Sequence, residues 1–298
     1  MALSLTLITC TYNRADTLQR LYLSIQQQKL LPHEWIVIDD GSTDSTASII
    51  SLISASSQFP VVYRYQSNRG KHIAWNLALT LSTGQFIMGI DSDNMLSKES
   101  LAYLNDLISQ YPDSSQAPII RSPTAPMINT YRTSSSFSGS SPLAGNANWL
   151  TEWWSTYRHM EYVDCFPARC IPYLFMPPIT GIRWFPEITA YASLASADIP
   201  FFYISDMLQI YDNTPSPKRL SQSSNTFRSL LGKTSSSHIL IVAAARLLVI
   251  AQTPRSTLSK HFIVYFLNTS YVISAVCCSF ASVCMRKLSI FSANDSNP

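Results

Sequence analysis

The strongest constraint on the fold is a rhythm in residues 1–110. Four short apolar runs alternate with stretches of helical period, and each apolar run ends at a polar cluster. Leu3–Thr9 alternates, with Leu3, Leu5 and Leu7 on one face, as a strand does. Asp16 is placed to cap a helix carrying Leu18, Leu21, Tyr22 and Ile25. Trp35-Ile36-Val37-Ile38 is uninterrupted, the pattern of a strand covered on both faces. Ser42 or Thr43 is expected to cap a helix with Ala47, Ile50 and Ile53. Val61–Tyr65 and Gln85–Ile90 read as two more strands. Ile73, Leu77 and Leu81 mark a third helix, and Ser97 is expected to cap a fourth with Leu101, Leu104 and Ile108. This alternation predicts right-handed crossovers and an α/β fold with a mostly parallel, Rossmann-like open sheet flanked by helices. Ligands of such sheets bind beyond the carboxyl ends of the strands.

Composition removes several function classes. Of 298 residues, 46% are apolar and 13% charged, about half the usual share of charge. Extensive disorder needs the opposite balance. A net charge of +3, with no basic stripe, predicts no nucleic-acid partner. Six cysteines (10, 165, 170, 277, 278, 284) show no zinc-type spacing and read as reduced thiols, which points to a cytoplasmic setting. Met1-Ala2 and the short apolar run after them do not make a signal peptide.

Beyond residue 110 the pattern changes. Prolines mix with serine, threonine and glycine over 111–150, which reads as a surface loop. Residues 150–215 regain aromatics, including Trp153, Trp154, Trp184 and Phe185. Residues 216–237 read as a serine-rich linker, and 238–298 as a helical tail. In that tail Phe262–Cys284 carries no charge and reaches the roughly 20 residues of a membrane helix. Two readings stay open for it: insertion in a membrane, or a buried or interfacial helix.

The chemistry gathers at the four strand ends. No G-x-G-x-x-G follows any strand, so the dinucleotide fingerprint is absent. Gly232-Lys233-Thr234 lacks the preceding glycine of a phosphate loop. The positive signal is Asp91-Ser92-Asp93 after Phe86–Ile90. Two carboxylates with no basic residue beside them in sequence repel each other, and Mg²⁺ or Mn²⁺ relieves that while binding substrate phosphates. The other strand ends carry Cys10-Thr11-Tyr12-Asn13-Arg14, Asp39-Asp40 and Asn68-Arg69-Gly70-Lys71-His72. Such a set suits a nucleotide diphosphate: carboxylate for base or ribose, cations and metal for phosphate.

Thr-Tyr-Asn-Arg (11–14), Val-Ile-Asp-Asp-Gly-Ser-Thr-Asp (37–44), Asn-Arg-Gly-Lys-His (68–72) and Asp-Ser-Asp (91–93) together resemble glycosyltransferase family 2. The resemblance extends, more weakly, to Trp-Phe-Pro-Glu (184–187) and Tyr203–Tyr211. It implies a GT-A fold over 1–215, with 1–110 binding a nucleotide sugar and 150–215 forming the acceptor half. It implies an inverting, metal-dependent transfer of a hexosyl or N-acetylhexosaminyl group from a UDP-sugar to a saccharide or lipid-linked acceptor in cell-surface polysaccharide synthesis. By the same resemblance Thr11, Tyr12, Arg14, Asp40, Lys71, Asp91 and Ser92 bind the nucleotide. Asp93, with Asp91, holds Mn²⁺ or Mg²⁺, and Glu187 is the catalytic base, with Glu161 and Asp164 in reserve. A tail that inserts places the protein at the inner face of the plasma membrane. The alternative is a catalytically inactive nucleotide-sugar binding protein.

Overall fold

The computed structural model describes residues 4–127, 145–147, 161–179 and 185–212. The linker, the tail with Phe262–Cys284, the serine runs near 134–141 and Trp184 lie outside these described residues.

The elements follow the expected alternation, with one short strand, β5, that the pattern did not predict: β1 (Leu5–Thr11), α1 (Ala15–Gln26), β2 (Glu34–Asp39), α2 (Thr46–Ser56), β3 (Val61–Tyr65), α3 (Lys71–Leu81), β4 (Phe86–Gly89), β5 (Met95–Leu96) and α4 (Ser100–Ile108). Then come β6 (Ile119–Pro126), β7 (Gly145–Ala147), β8 (Tyr162–Pro167), α5 (Ile171–Leu174), α6 (Ile188–Ser196), β9 (Phe201–Tyr203) and β10 (Gln209–Tyr211). Part of the expected proline-rich loop is therefore strand: β6 runs through Pro123 and Pro126.

The sheet runs β3-β2-β1-β4-β8-β6-β10-β5, with β9 joining β6 to β7. β3, β2, β1 and β4 are mutually parallel, whereas β8 is antiparallel to both β4 and β6. The sheet is thus parallel in its first half and mixed overall. Alternation on the inner strands explains why they are apolar throughout. Leu5, Leu7, Trp35, Val37, Phe86 and Met88 enter one core with α1, α2 and α4. Ile8, Ile36, Ile38 and Ile87 enter a second core with α3 and α6.

Three expected caps are placed differently. Arg14 is the N-cap of α1 and Asp16 sits in its first turn, where a negative charge still favours the helix dipole. Ser45 precedes α2, while Asp44 accepts from the Thr46 N–H at 3.0 Å. Ser42 instead accepts from the Asn13 N–H at 2.8 Å, tying the β2–α2 loop to the β1–α1 loop. Glu99, at φ 64°, is the N-cap of α4; Ser97 faces Ser100 and the Met207 carbonyl.

The order 3-2-1-4 reverses the direction of chain growth between β1 and β4. That reversal opens a crevice at their carboxyl ends, which is where Thr11–Arg14 and Asp91–Asp93 emerge.

Candidate active site

Two adjoining layers make up the site. The first lies along the ends of β1 and β2. The Asp40 N–H donates to the Thr11 carbonyl at 2.8 Å, extending the pairing past the last strand residues. The Asp40 carboxylate accepts from Gln66 Nε2 (2.7 Å), the Arg69 N–H (2.8 Å) and the Gly70 N–H (2.9 Å). Three of its roughly four acceptor positions are thereby used. Gly70 has φ 102°, a backbone that favours glycine and lets two successive N–H groups face one carboxylate. Asp39 is fully buried and accepts from the Ser42 N–H (2.8 Å) and the Tyr63 hydroxyl (3.0 Å), so it braces the turn. Thr11 Oγ1 is buried without a hydrogen-bond partner among the described residues, while the Tyr12 ring beside it is 44% exposed.

The second layer centres on Lys71, the first residue of α3. Its ammonium lies 2.9 Å from Asp91 Oδ1 and 3.4 Å from Glu187 Oε1. Groups from three places in the chain, 20 and 116 residues beyond Lys71, thus meet at one charge. Burial alone would lower the Lys71 pKa; the Asp91 and Glu187 carboxylates outweigh it and raise it. Glu187 is the N-cap of α6. A carboxylate there also gains from the helix dipole.

Asp93 lies 3.5 Å from Arg14 Nη2, and its carbonyl accepts from Arg20 Nη2 at 2.7 Å. Arg20 also pairs with Asp212 at 2.8 Å. The expectation that the Asp91/Asp93 couple has no basic neighbour is therefore corrected. Lys71 and Arg14 come from other elements, invisible in local sequence. Ser92 is buried between the two aspartates.

Beneath Lys71, Asp91 and Glu187 lies a cavity of about 140 Å³. Its walls include Cys10, Trp75, Phe166, Asp164, Tyr191 and Gln209. Its volume is ring-sized and below the roughly 300–1,000 Å³ typical of sites for drug-sized ligands. Thr11, Tyr12, Arg14, Asp40, Ser92 and Asp93 do not line it. Burial pushes the Cys10 thiol up to about 12, with Asp91 and Asp40 adding to the shift and Lys71 opposing it.

Several further residues brace the site. Asp164 is committed to Arg121 through two bonds of 2.7 and 2.8 Å and also accepts from the Tyr191 hydroxyl at 2.7 Å. A carboxylate so occupied is unsuited to the role of base held in reserve for it. The Arg121 guanidinium lies within 4.7–5.9 Å of four aromatic ring centres. Asn76 both donates to and accepts from the Met176 backbone (2.7 and 2.9 Å), pinning 174–176 over α3. His72 is buried, with Nε2 on the Ile179 carbonyl at 3.1 Å. Its spacing from Lys71 predicted none of this.

The parallel strands β3-β2-β1-β4, with polar groups gathered at the β1/β4 crevice, place the chain among the α/β proteins whose ligands bind beyond the carboxyl ends of the strands. The family model "Glycosyl transferase family 2" matches residues 6–161, more than half of the chain. The chain belongs to glycosyltransferase family 2.

Among curated relatives, the poly-β-1,6-N-acetyl-D-glucosamine synthase of Staphylococcus aureus (strain MSSA476) is 29% identical over 100 residues, 34% of this chain and 24% of that protein. The abequosyltransferase RfbV of Salmonella typhimurium is 33% identical over 106 residues, 35% of this chain and 32% of that protein. The matched stretch thus spans about a quarter to a third of those relatives. Among solved structures, S. aureus TarS 1–349 in complex with UDP-GlcNAc aligns with a TM-score of 0.58 at 16% identity, covering 83% of this chain and 66% of TarS 1–349. The mannosyltransferase PcManGT from Pyrobaculum calidifontis, in complex with GDP-Man and Mn²⁺, aligns at 0.60 and 16% identity, covering 98% and 80%. These likenesses establish the GT-A fold.

Proposed function

We propose that the chain is an inverting glycosyltransferase that moves a sugar from a UDP-sugar to a saccharide or lipid-linked acceptor in cell-surface polysaccharide synthesis. Family membership supports sugar transfer, and the relatives named above support the polysaccharide setting. The neighbour bound to UDP-GlcNAc supports a UDP-linked donor. The observation that carries the reading is the meeting of Lys71, Asp91 and Glu187 at the mouth of a ring-sized cavity beside the Thr11–Asp40 edge.

In this reading Thr11 and Tyr12 line the uridine pocket. The remaining acceptor position of Asp40 takes a ribose or base N–H or O–H. Arg14, Lys71 and Ser92 face the diphosphate. Glu187 takes the proton from the acceptor hydroxyl as the sugar transfers in a single displacement through an oxocarbenium-like state.

A divalent cation fits the donor set. Among the described residues no group of three or more His, Cys, Asp or Glu could hold a metal alone. Two carboxylates sharing a site with a diphosphate are nevertheless enough for Mg²⁺ or Mn²⁺. Asp91, Asp93 and Glu187 carry three negative charges against the two positive charges of Lys71 and Arg14, and an incoming diphosphate adds more. Asp93 and Asp91 would hold the cation, which when bound supplies Lewis-acid stabilisation of the departing diphosphate. No helix among the described residues is long and apolar enough to cross a membrane. Membrane association at the inner face of the plasma membrane rests on Phe262–Cys284, outside them.

The test is a donor panel measuring nucleotide release from UDP- and GDP-sugars with and without Mn²⁺, on the native protein and on Glu187→Gln. The variant is expected to lose two or more orders of magnitude in rate while still binding UDP. Undiminished turnover would remove Glu187 from its role. UDP binding without turnover in the native protein would favour the inactive binding protein.

A further inference from the structure

One ammonium serves two carboxylates at the mouth of the cavity, and they have different roles in the proposed reaction. Asp91 stands at the strand end that faces the donor; Glu187 stands on α6 and faces the acceptor. Of the two contacts, that to Asp91 is close (2.9 Å) and that to Glu187 is longer (3.4 Å). Lys71 is the one lysine or arginine among the described residues lining the cavity, which also receives the carboxylates of Asp91, Asp164 and Glu187. Asp164 already has Arg121. Among the described residues of the cavity wall, no second lysine or arginine is therefore at hand for Glu187 once Lys71 turns elsewhere. Lys71 carries a flexible four-carbon stem with three rotatable donors, and it is partly exposed.

A diphosphate entering beside Asp91 competes for that same ammonium, because a charge-assisted bond to phosphate is stronger than a 3.4 Å contact to a partly exposed carboxylate. The geometry points to Lys71 as a coupling residue: the donor's diphosphate draws its ammonium off Glu187, so that the base is released only when the donor is in place. This inference rests on the nucleotide-sugar reading.

A thermodynamic cycle on UDP affinity tests it without any acceptor. UDP is titrated calorimetrically, in the presence of Mn²⁺, into the native protein, Glu187→Gln, Lys71→Met and the double variant. If the Lys71–Glu187 contact must break, Glu187→Gln removes that cost and UDP binds about 2- to 5-fold tighter. Lys71→Met weakens UDP by roughly 10-fold or more, and adding Glu187→Gln to it changes nothing further. Equal tightening in both backgrounds would mean plain repulsion between Glu187 and the diphosphate, and overturns the coupling. Unchanged or weaker UDP binding in Glu187→Gln overturns it as well. Should Lys71→Met fail to fold, Lys71→Gln takes its place in the cycle, and the comparison of the two backgrounds decides. Absence of UDP binding to the native protein would overturn the nucleotide reading itself, and the coupling with it. Binding by the native protein with the wrong cycle overturns the coupling alone.

Discussion

Asp40→Asn separates an anchor from a ligand. The Asp40 carboxylate holds Gln66 Nε2, the Arg69 N–H and the Gly70 N–H, the last through Oδ2. An asparagine retains one oxygen, which keeps the Gln66 and Arg69 bonds on the Oδ1 side. Its amide nitrogen then faces the Gly70 N–H, donor against donor. One charge-assisted bond is lost and a buried N–H is left unpaired, which costs about 1.5–3 kcal/mol. At 2–4 °C per kcal/mol for a chain approaching this size, the melting temperature falls by roughly 3–12 °C. The Asn68–Gly70 turn also delivers Lys71 to Asp91, so UDP affinity falls with it. The assay is a thermal melt beside a UDP titration. A variant that melts within about 1 °C of the native protein while losing UDP affinity would show Asp40 to be a ligand only, and the anchoring argument would be wrong.

Other outcomes follow from the same contacts. Asp164→Asn breaks a buried ion pair and should cost about 3–5 kcal/mol in urea unfolding, whereas Arg121→Met with Asp164→Leu should recover much of that loss. Burial lowers the His72 pKa, with the Ile179 carbonyl and Asp40 acting against it. The unfolded chain therefore binds the proton first as pH falls below the ordinary histidine value. His72 contributes stability that is present above that value and is lost as pH falls through its depressed folded pKa. Melting temperature should drop from pH 7 toward 5, and His72→Gln should flatten that slope. Asn76→Ala removes both bonds to the Met176 backbone and should destabilise by about 1–3 kcal/mol, with faster hydrogen exchange at 174–176.

What the sequence revealed and what it hid divide along a physical line. From β1 to α4 every element but the two-residue β5 was legible, because β1, β2 and β4 are covered by helices on both faces and each helix buries one face, so burial writes itself into local periodicity. The strand-end groups were legible for a related reason. At a topological reversal the chain leaves the sheet at the crevice, so Thr11, Asp40 and Asp91 had to emerge near one another. The caps were misplaced by a few residues because Asp44, Ser42 and Asn13 serve two loops at once. Asn13 accepts from the Thr43 and Asp44 N–H groups (2.8 and 3.3 Å), and such bonds across 30 residues leave no local pattern. The second half was harder. β8 enters the sheet antiparallel between β4 and β6, so its neighbours were fixed by topology and not by period.

That same topology explains why the basic partners of Asp91 and Asp93 were missed. A carboxylate pair read along the chain looks uncompensated, and a metal seems its necessary partner. In the folded protein Lys71 arrives from the start of α3 and Arg14 from the start of α1, because parallel βα units place every helix N-terminus at the carboxyl edge of the sheet. The edge that gathers the acids therefore gathers cations by the same rule. A metal bound there, as proposed, would join cations already beside the acids and would not be their sole compensation. The charge that needs it is the diphosphate's, since Lys71 is already shared between Asp91 and Glu187. Cation dependence should consequently be strong for UDP binding and weak for thermal stability without nucleotide. A large Mn²⁺-induced rise in melting temperature in the absence of UDP would contradict this ordering of effects.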